Sequence, residues 1–235
     1  MAAAAPWAVF IALVGVLLGP SLTGDRVAVP HDLLYEFLPW SADRPAHGAV
    51  GARNPELRDV IDQYYPGQHE LVSRMLGGRD ASWLPEVALG YPGWVFLGWG
   101  ALSPFNVPAA LMPFELAWSW SMALRLLAAM GGAYVLGRGF GMGRAGATVA
   151  GVAYGLCGYM VGWLGWPQSH VGALLPWVWA AVRLCARPTR PLWAVPAVAF
   201  ATAGLWLAGF PSVALWGIVG AGIVGLHATW AHREE

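Results

Sequence analysis

Lysine is absent from this chain: all thirteen basic residues are Arg. That reads as codon bias, of the kind a GC-rich bacterium shows, rather than as chemistry. Charge of either sign is scarce, with 11% Asp, Glu, Lys and Arg against about a quarter in soluble domains. None of the four occurs from Ala145 to Val182, nor from Pro191 to His232. Each absence excludes something. A net charge of zero gives no compositional argument for nucleic acid. Only two cysteines occur, Cys157 and Cys185, which excludes a disulfide framework or a Cys-rich metal site. No Walker loop, Cys-x-x-Cys, His-Glu-x-x-His or Gly-x-Ser-x-Gly is found, so the commonest soluble-enzyme signals are missing. Gly131-Gly132 and the Gly139–Gly143 region read as helix packing and turns, not as a nucleotide cradle.

What is present is hydrocarbon, at 57% hydrophobic residues. The charge-free run from Ala145 is too long for one buried helix and fits two membrane spans. The expected fold is an all-α polytopic membrane protein with about six transmembrane helices and one large extracytoplasmic loop. Three parts follow: a first span at 1–23, an acidic loop at 24–104, and a five-helix bundle at 105–235. Pro6 to Leu22 lacks a basic n-region and a clear cleavage site, so it reads as an uncleaved helix rather than a signal peptide. Later apolar segments lie near Pro113–Leu136, Ala145–Leu164, His170–Leu184, Pro191–Ala208 and Pro211–Trp230. Arg138 and Arg144 share one linker, Arg183, Arg187 and Arg190 the next on that side, and Arg233 follows the last span. The positive-inside rule makes these linkers cytoplasmic and the long loop external. Trp166, Trp177, Trp193 and Trp230 fall near span ends, as an aromatic belt requires. In this topology Cys157 and Cys185 lie too far apart along the membrane normal to bridge, and both read as packing residues.

All but three of the thirteen carboxylates lie between Asp25 and Glu86, so acid–base chemistry belongs to the loop. Asn54-Pro55-Glu56-Leu57-Arg58-Asp59-Val60-Ile61-Asp62-Gln63-Tyr64-Tyr65-Pro66 sets two carboxylates three residues apart. On an α-helix Asp59 and Asp62 share a face. Close carboxylates split their pKa values, hold a divalent cation, or act as a base on a sugar hydroxyl. Tyr64 and Tyr65 suit stacking on a sugar ring or the lipid interface. The plain alternative is a solvated turn with surface acids. Gln63 to Leu76 patterns as an amphipathic helix, with Tyr64, Leu71, Val72, Met75 and Leu76 on one stripe and Gln68, Glu70 and Arg74 opposite. His31-Asp32-Leu33-Leu34-Tyr35-Glu36 follows the first span and places Asp32 near the membrane surface. Arg125, mid-span, suits a cavity that receives a lipid phosphate, or a buried pair; Glu115, ten positions back, is on another face. Trp166-Pro167-Gln168-Ser169-His170 reads as an external turn, whose His170 either meets phosphate or stands in water. His227 and His232 read as interface residues.

The order of these motifs carries a resemblance. After Asp32 and the Asn54–Pro66 motif come Gly78 to Trp83, then Leu102-Ser103-Pro104-Phe105-Asn106, then a span with a basic residue ending in Tyr134-Val135-Leu136-Gly137-Arg138. Ala153-Tyr154-Gly155-Leu156-Cys157-Gly158-Tyr159 and Leu175-Pro176-Trp177 follow. The chain resembles YfhO-type bacterial membrane proteins, of the GT-C superfamily of polyprenyl-phosphate-dependent glycosyltransferases. It departs from them at Gly67, after Pro66, and in a reduced Ser82-Trp83-Leu84-Pro85. It is similar to their amino-terminal part alone, as a fragment or separate subunit would be. The resemblance implies inverting transfer of a sugar from a polyprenyl-phosphate donor to an extracytoplasmic acceptor of the cell envelope. Asp32, Asp59 and Asp62 are the catalytic candidates it implies. Gln63, Tyr64, Tyr65, Asn106, Arg125 and His170 are the substrate-binding ones. No metal ligands are assigned, and a divalent cation is the one cofactor the chemistry suggests. Partners are the polyprenyl-phosphate sugar, the lipid bilayer and further membrane helices of a longer chain or a partner, with no nucleic acid. The alternative is a non-catalytic membrane subunit or fragment that binds a lipid-linked glycan or a protein; a transporter ranks last.

Overall fold

A computed structural model describes residues 4–48, 51–87 and 89–231. His232 and Arg233 lie outside the described residues. The fold is helical: α1 (Ala5–Leu22), α2 (Tyr65–Leu76), α3 (Trp94–Leu97), α4 (Phe114–Gly139), α5 (Arg144–Gly155), α6 (Gly158–Gly162), α7 (Pro167–Cys185), α8 (Ala194–Leu207) and α9 (Pro211–Ala231). Among the described residues the one sheet is a two-residue antiparallel pair, Trp83–Leu84 with Tyr91–Pro92.

Four stretches are long and apolar enough to cross a membrane: Ala5–Leu22, Phe114–Gly139, Arg144–Gly162 and Pro211–Ala231. Their outward residues agree. Ile11, Val16 and Leu17 on α1, and Leu215, Trp216, Ile223 and Leu226 on α9, are exposed. Apolar surface of that extent is stable when hydrocarbon, not water, solvates it. These helices mark a multi-pass membrane protein. The count is smaller than the six apolar segments, for two local reasons. Helix α8 has 14 residues, about 21 Å, against the ~30 Å hydrocarbon core. Helix α7 has 19 residues, but its first turn is Pro-Gln-Ser-His. The segment expected as one span at Ala145–Leu164 is broken: α5 stops at Gly155, Cys157 is extended (φ −66°, ψ 159°), and α6 restarts at Gly158.

Helices α4 and α7 form the spine. Helix α4 packs against α1, α5 and α7, and α7 against α4, α8 and α9. Helix α4 is buried on most sides, from Ala117 to Gly137, which is why its apolar residues show no single stripe. Contacts are made by aromatic rings lying on glycine. A Cβ on Gly131 would sit 2.6 Å from the Trp7 ring, and one on Gly132 2.8 Å from the Trp177 ring. The Trp177 indole also donates to the Ala128 carbonyl at 2.8 Å, and Trp179 donates to Gly217 O at 2.9 Å. In lipid, where tails are as apolar as Leu, such close fits and interhelical hydrogen bonds replace the hydrophobic drive. At one end of the bundle, Arg183 donates to Gly139 O at 3.0 Å and lies over the Phe140 ring, a cation at the α4 C-terminus. The polar segment covers the opposite end, where Trp120 donates to Leu22 O at 3.2 Å. Neither Cys157 nor Cys185 is in a disulfide.

Gly132→Leu is expected to lower the melting temperature in detergent by several degrees, since overpacking costs about 1–3 kcal/mol. Gly15→Ala, with nothing within 4 Å of the new Cβ, is expected to leave it unchanged. Equal melting of the two variants would refute the glycine-on-ring packing.

Candidate functional site

The polar segment is built from short turns tied by charge. His31–Glu36 forms a 3₁₀ turn whose Asp32 carboxylate accepts the Arg53 N–H at 2.8 Å. Glu36 accepts the Arg44 guanidinium and the Ala52 N–H, the latter at 3.1 Å. Asn54 caps the turn Pro55–Leu57 by accepting the Glu56 N–H at 3.2 Å. Arg58 and Asp59 then enter a π-helical turn, Val60–Tyr64, which runs straight into α2. The wider turn undoes the shared face expected of Asp59 and Asp62. Asp62 pairs with Arg58 at 2.8 Å, while Asp59 accepts from Gln63 at 3.4 Å. Farther on, Arg74 ties Glu70 and Glu86, each at 2.6 Å, to the α2 C-terminal turn.

Tyr64 and Tyr65 are wedges between segment and bundle. Tyr64 is buried, edge-on to Trp99 (5.0 Å) and Trp166 (6.4 Å). Tyr65 meets Phe114 (5.3 Å) and Trp118 (5.2 Å). Burial, then the charge of Asp59, raises the Tyr64 pKa above its usual 10.0. Burial, then the charge of Glu115, pushes Tyr65 up to about 12. The buried face of α2 is Gly67, Gln68 and Leu71, continuing from Tyr64 in the preceding turn, whereas Met75 and Leu76 are exposed. The stripe is thus turned toward Gln68. That residue is buried because its amide has partners there, Trp99 O at 2.9 Å and Asn106 Nδ2 at 3.4 Å.

Asp59 opens onto a cleft of about 420 Å³ at the rim of the bundle. Asn54, Glu56, Leu57 and Asp59 line one side, and Gly162, Trp163 and Trp166 the other. Trp163 is 39% exposed and stands edge-on to the buried Trp166 at 5.2 Å. A carboxylate opposite an exposed indole can accept hydroxyl hydrogen bonds while a ring lies on the aromatic face. Asp32 and Asp62 do not line this cleft. A second cleft, about 430 Å³, lies across the Asn54–Leu57 turn, lined by Leu33, Glu36, Phe37, Ala52, Pro55 and Arg58. Trp163 and Glu56 were missed as site residues in the sequence. The signal available for the first was Trp163-x-x-Trp166 at a span end. Among the described residues no group of three or more His, Cys, Asp or Glu could hold a metal.

The other candidates form a buried polar chain. Asn106 donates to Gly100 O at 2.8 Å and accepts from Ser121 Oγ at 3.0 Å. Arg125, 1% exposed, donates through Nε to Ser121 O (3.1 Å) and through Nη1 to Leu164 O (2.8 Å) and Ser169 Oγ (2.6 Å). Among the described residues no carboxylate pairs with it. His170 stands not in a watery turn but inside α7, 2% exposed, beside Phe105. Pro167 starts the helix three residues earlier than the turn reading allowed, because proline suits a first helical position. No family model, curated protein or solved structure matches this chain.

The raised Tyr65 pKa fixes a sign. The folded state holds that proton more tightly, so the stability it contributes is complete below about pH 10 and lost as pH rises towards 12. The ultraviolet titration of wild type minus Tyr65→Phe is expected to show its phenolate midpoint near 12. A midpoint near 10 in the folded protein would mean the phenol is not wedged against the bundle.

Proposed function

We propose that this chain is a membrane glycosyltransferase module, transferring a sugar with inversion from a polyprenyl-phosphate donor to an extracytoplasmic acceptor. The observation that carries the reading is the rim cleft, where Asp59 stands across from Trp163 and Trp166. The resemblance to GT-C proteins supplies the donor class. Topology agrees: Arg183 reaches Gly139, so the Arg138–Arg144 and Arg183–Arg190 linkers share one end of the bundle. The positive-inside rule assigns that end to the cytoplasm of a bacterial inner membrane and the polar segment to the outside. On this reading α7 and α8 complete six passes: α7 lies among α4, α8 and α9, and α8 packs on α7.

In the reaction, the Asp59 carboxylate takes the proton of the acceptor hydroxyl. The acceptor oxygen then bonds to the anomeric carbon, and the bond from that carbon to the phosphate oxygen breaks, its electron pair leaving with the lipid phosphate. The Gln63 amide orients the Asp59 carboxylate. Trp163 provides a face for the sugar ring. Asp32 and Asp62 hold Arg53 and Arg58, so the base role concentrates on Asp59. The absence of Asp32 and Asp62 from the cleft favours one competing reading, a non-catalytic subunit that binds the glycan.

Proteoliposomes carrying a panel of polyprenyl-phosphate hexoses separate the two, with donor consumption read by mass spectrometry. Asp59→Asn is expected to lower turnover about 100-fold or more while donor still binds. Trp163→Ala is expected to raise KM more than it lowers kcat. Undiminished turnover by Asp59→Asn sinks the catalytic role. Donor binding without turnover by the wild-type protein across the panel favours the binding subunit.

A further inference from the structure

The N-terminus of α7 is buried, has no side-chain cap, and meets the Arg125 guanidinium. Both are positive: the helix end through its N–H groups, Arg125 through its full charge. Two like charges in a sealed interior repel, and among the described residues no carboxylate answers either. Arg125 Nη2, on α4, and His170 Nδ1, in this turn, are both buried without a hydrogen-bond partner. Nη2 sits beside the Nη1 that holds Leu164 O and Ser169 Oγ. The imidazole can carry its proton on Nδ1, which makes it a second donor. Gln168 Oε1 is also buried and unpartnered, and a half-turn of that amide exchanges the oxygen for a donor NH₂.

We propose that Arg125, His170 and the first turn of α7 form a binding site for a monatomic anion of the chloride class. Size and charge select it over a phosphate. Arg125 and His170 are 1% and 2% exposed, so the site is closed to a lipid head group with its chain. One guanidinium is neutralised by one monovalent ion, whereas a phosphate dianion brings surplus charge into the bundle. The closure is tight. Glycines of the polar segment lie on the α8–α9 turn, with Phe210 N donating to Gly98 O at 2.7 Å. A Cβ on Gly100 would stand 2.7 Å from Ala208 O and 3.6 Å from the His170 ring. Gly100 and Gly209 both hold positive φ, +84° and +80°, which glycine adopts without strain. The anion is therefore a fixed counter-ion for the α4–α7 crossing, independent of the sugar cleft.

The test is the melting temperature of the purified full chain in detergent, in sodium chloride, bromide, phosphate or gluconate at matched ionic strength. Chloride and bromide are expected to raise it by about 5 °C or more over gluconate. Arg125→Gln is expected to abolish the difference. If that variant does not fold, His170→Leu decides, with an expected loss of halide affinity of about tenfold or more. Crystals grown in bromide are expected to show anomalous scattering beside Arg125 Nη2. Equal melting of the wild type in halide and gluconate, or a halide effect unchanged in the folded variants, overturns the site and leaves water as the partner of these groups. Stabilisation by phosphate but not by halide overturns the monatomic assignment.

Discussion

Arg125 is the constraint around which the bundle is arranged. A guanidinium mid-membrane costs about 2.5–3.5 kcal/mol on insertion scales, and far more if left without partners. Its Nε and Nη1 are answered by carbonyls and one hydroxyl: Ser121 O from its own helix, Leu164 O from the turn before α7, and Ser169 Oγ from inside α7. Those bonds set where α7 begins relative to α4. They require the α6–α7 turn to descend beside α4, and a descending turn draws Trp163 and Trp166 to the rim. Trp166 then supplies the edge against which Tyr64 rests. The position of the Asp59 cleft is thus downstream of a buried charge in another part of the chain.

The polar chain extends the same logic outward. Ser121, one turn before Arg125, binds Asn106, and Asn106 shares its amide with Gly100 and Gln68. Gln68 holds Trp99, which meets Tyr64. Each member is satisfied by the next, which is the condition under which a buried polar network specifies one arrangement instead of weakening it. The polar segment is therefore docked by directional bonds as well as by its aromatic wedges. A segment docked this way holds a carboxylate at the rim of the bundle in one orientation, which a loosely tethered loop does not do.

Legibility in the sequence follows from range. Helical character, the apolar passes and the acidic segment were readable because they depend on local composition. The amphipathic helix was readable in existence and misread in rotation, since Gln68 counts as polar until Trp99 O and Asn106 are known to meet it. The break at Leu156–Cys157 lies inside an unbroken apolar run, and hydropathy does not register the two flanking glycines as a stop and a restart. Helix α8 is shorter than its apolar run because apolar residues continue through the turns at its ends. His170 reads as a turn residue when Pro167 is taken as a breaker, and as buried once Pro167 is seen to start α7. The separation of Asp59 from Asp62 turns on a single π-helical turn, below what side-chain periodicity can resolve. Trp163 gains its meaning only through the cleft it shares with Asn54–Asp59, which is distant in the chain.

Glycine carries the remaining specificity, and it does so by contact rather than by flexibility. Gly151 meets Phe10 and Gly155 meets Met130, each at a spacing a Cβ would violate (2.8 and 2.4 Å). Gly131 and Gly132 do the same for Trp7 and Trp177. Gly151–Phe10 joins α5 to α1, and the other three pairs join α4 to α1, α5 and α7. Hydrocarbon solvates the outer faces of α1 and α9 as well as it would solvate the core, so burial alone does not choose between partners. Shape does: a ring fits where a glycine leaves room, and a shifted register sets each ring against a Cβ. The guanidinium fixes the height of α7 against α4, and the ring–glycine contacts fix its rotation. Together they leave one position for the first turn of α7, and hence one shape for the rim above it.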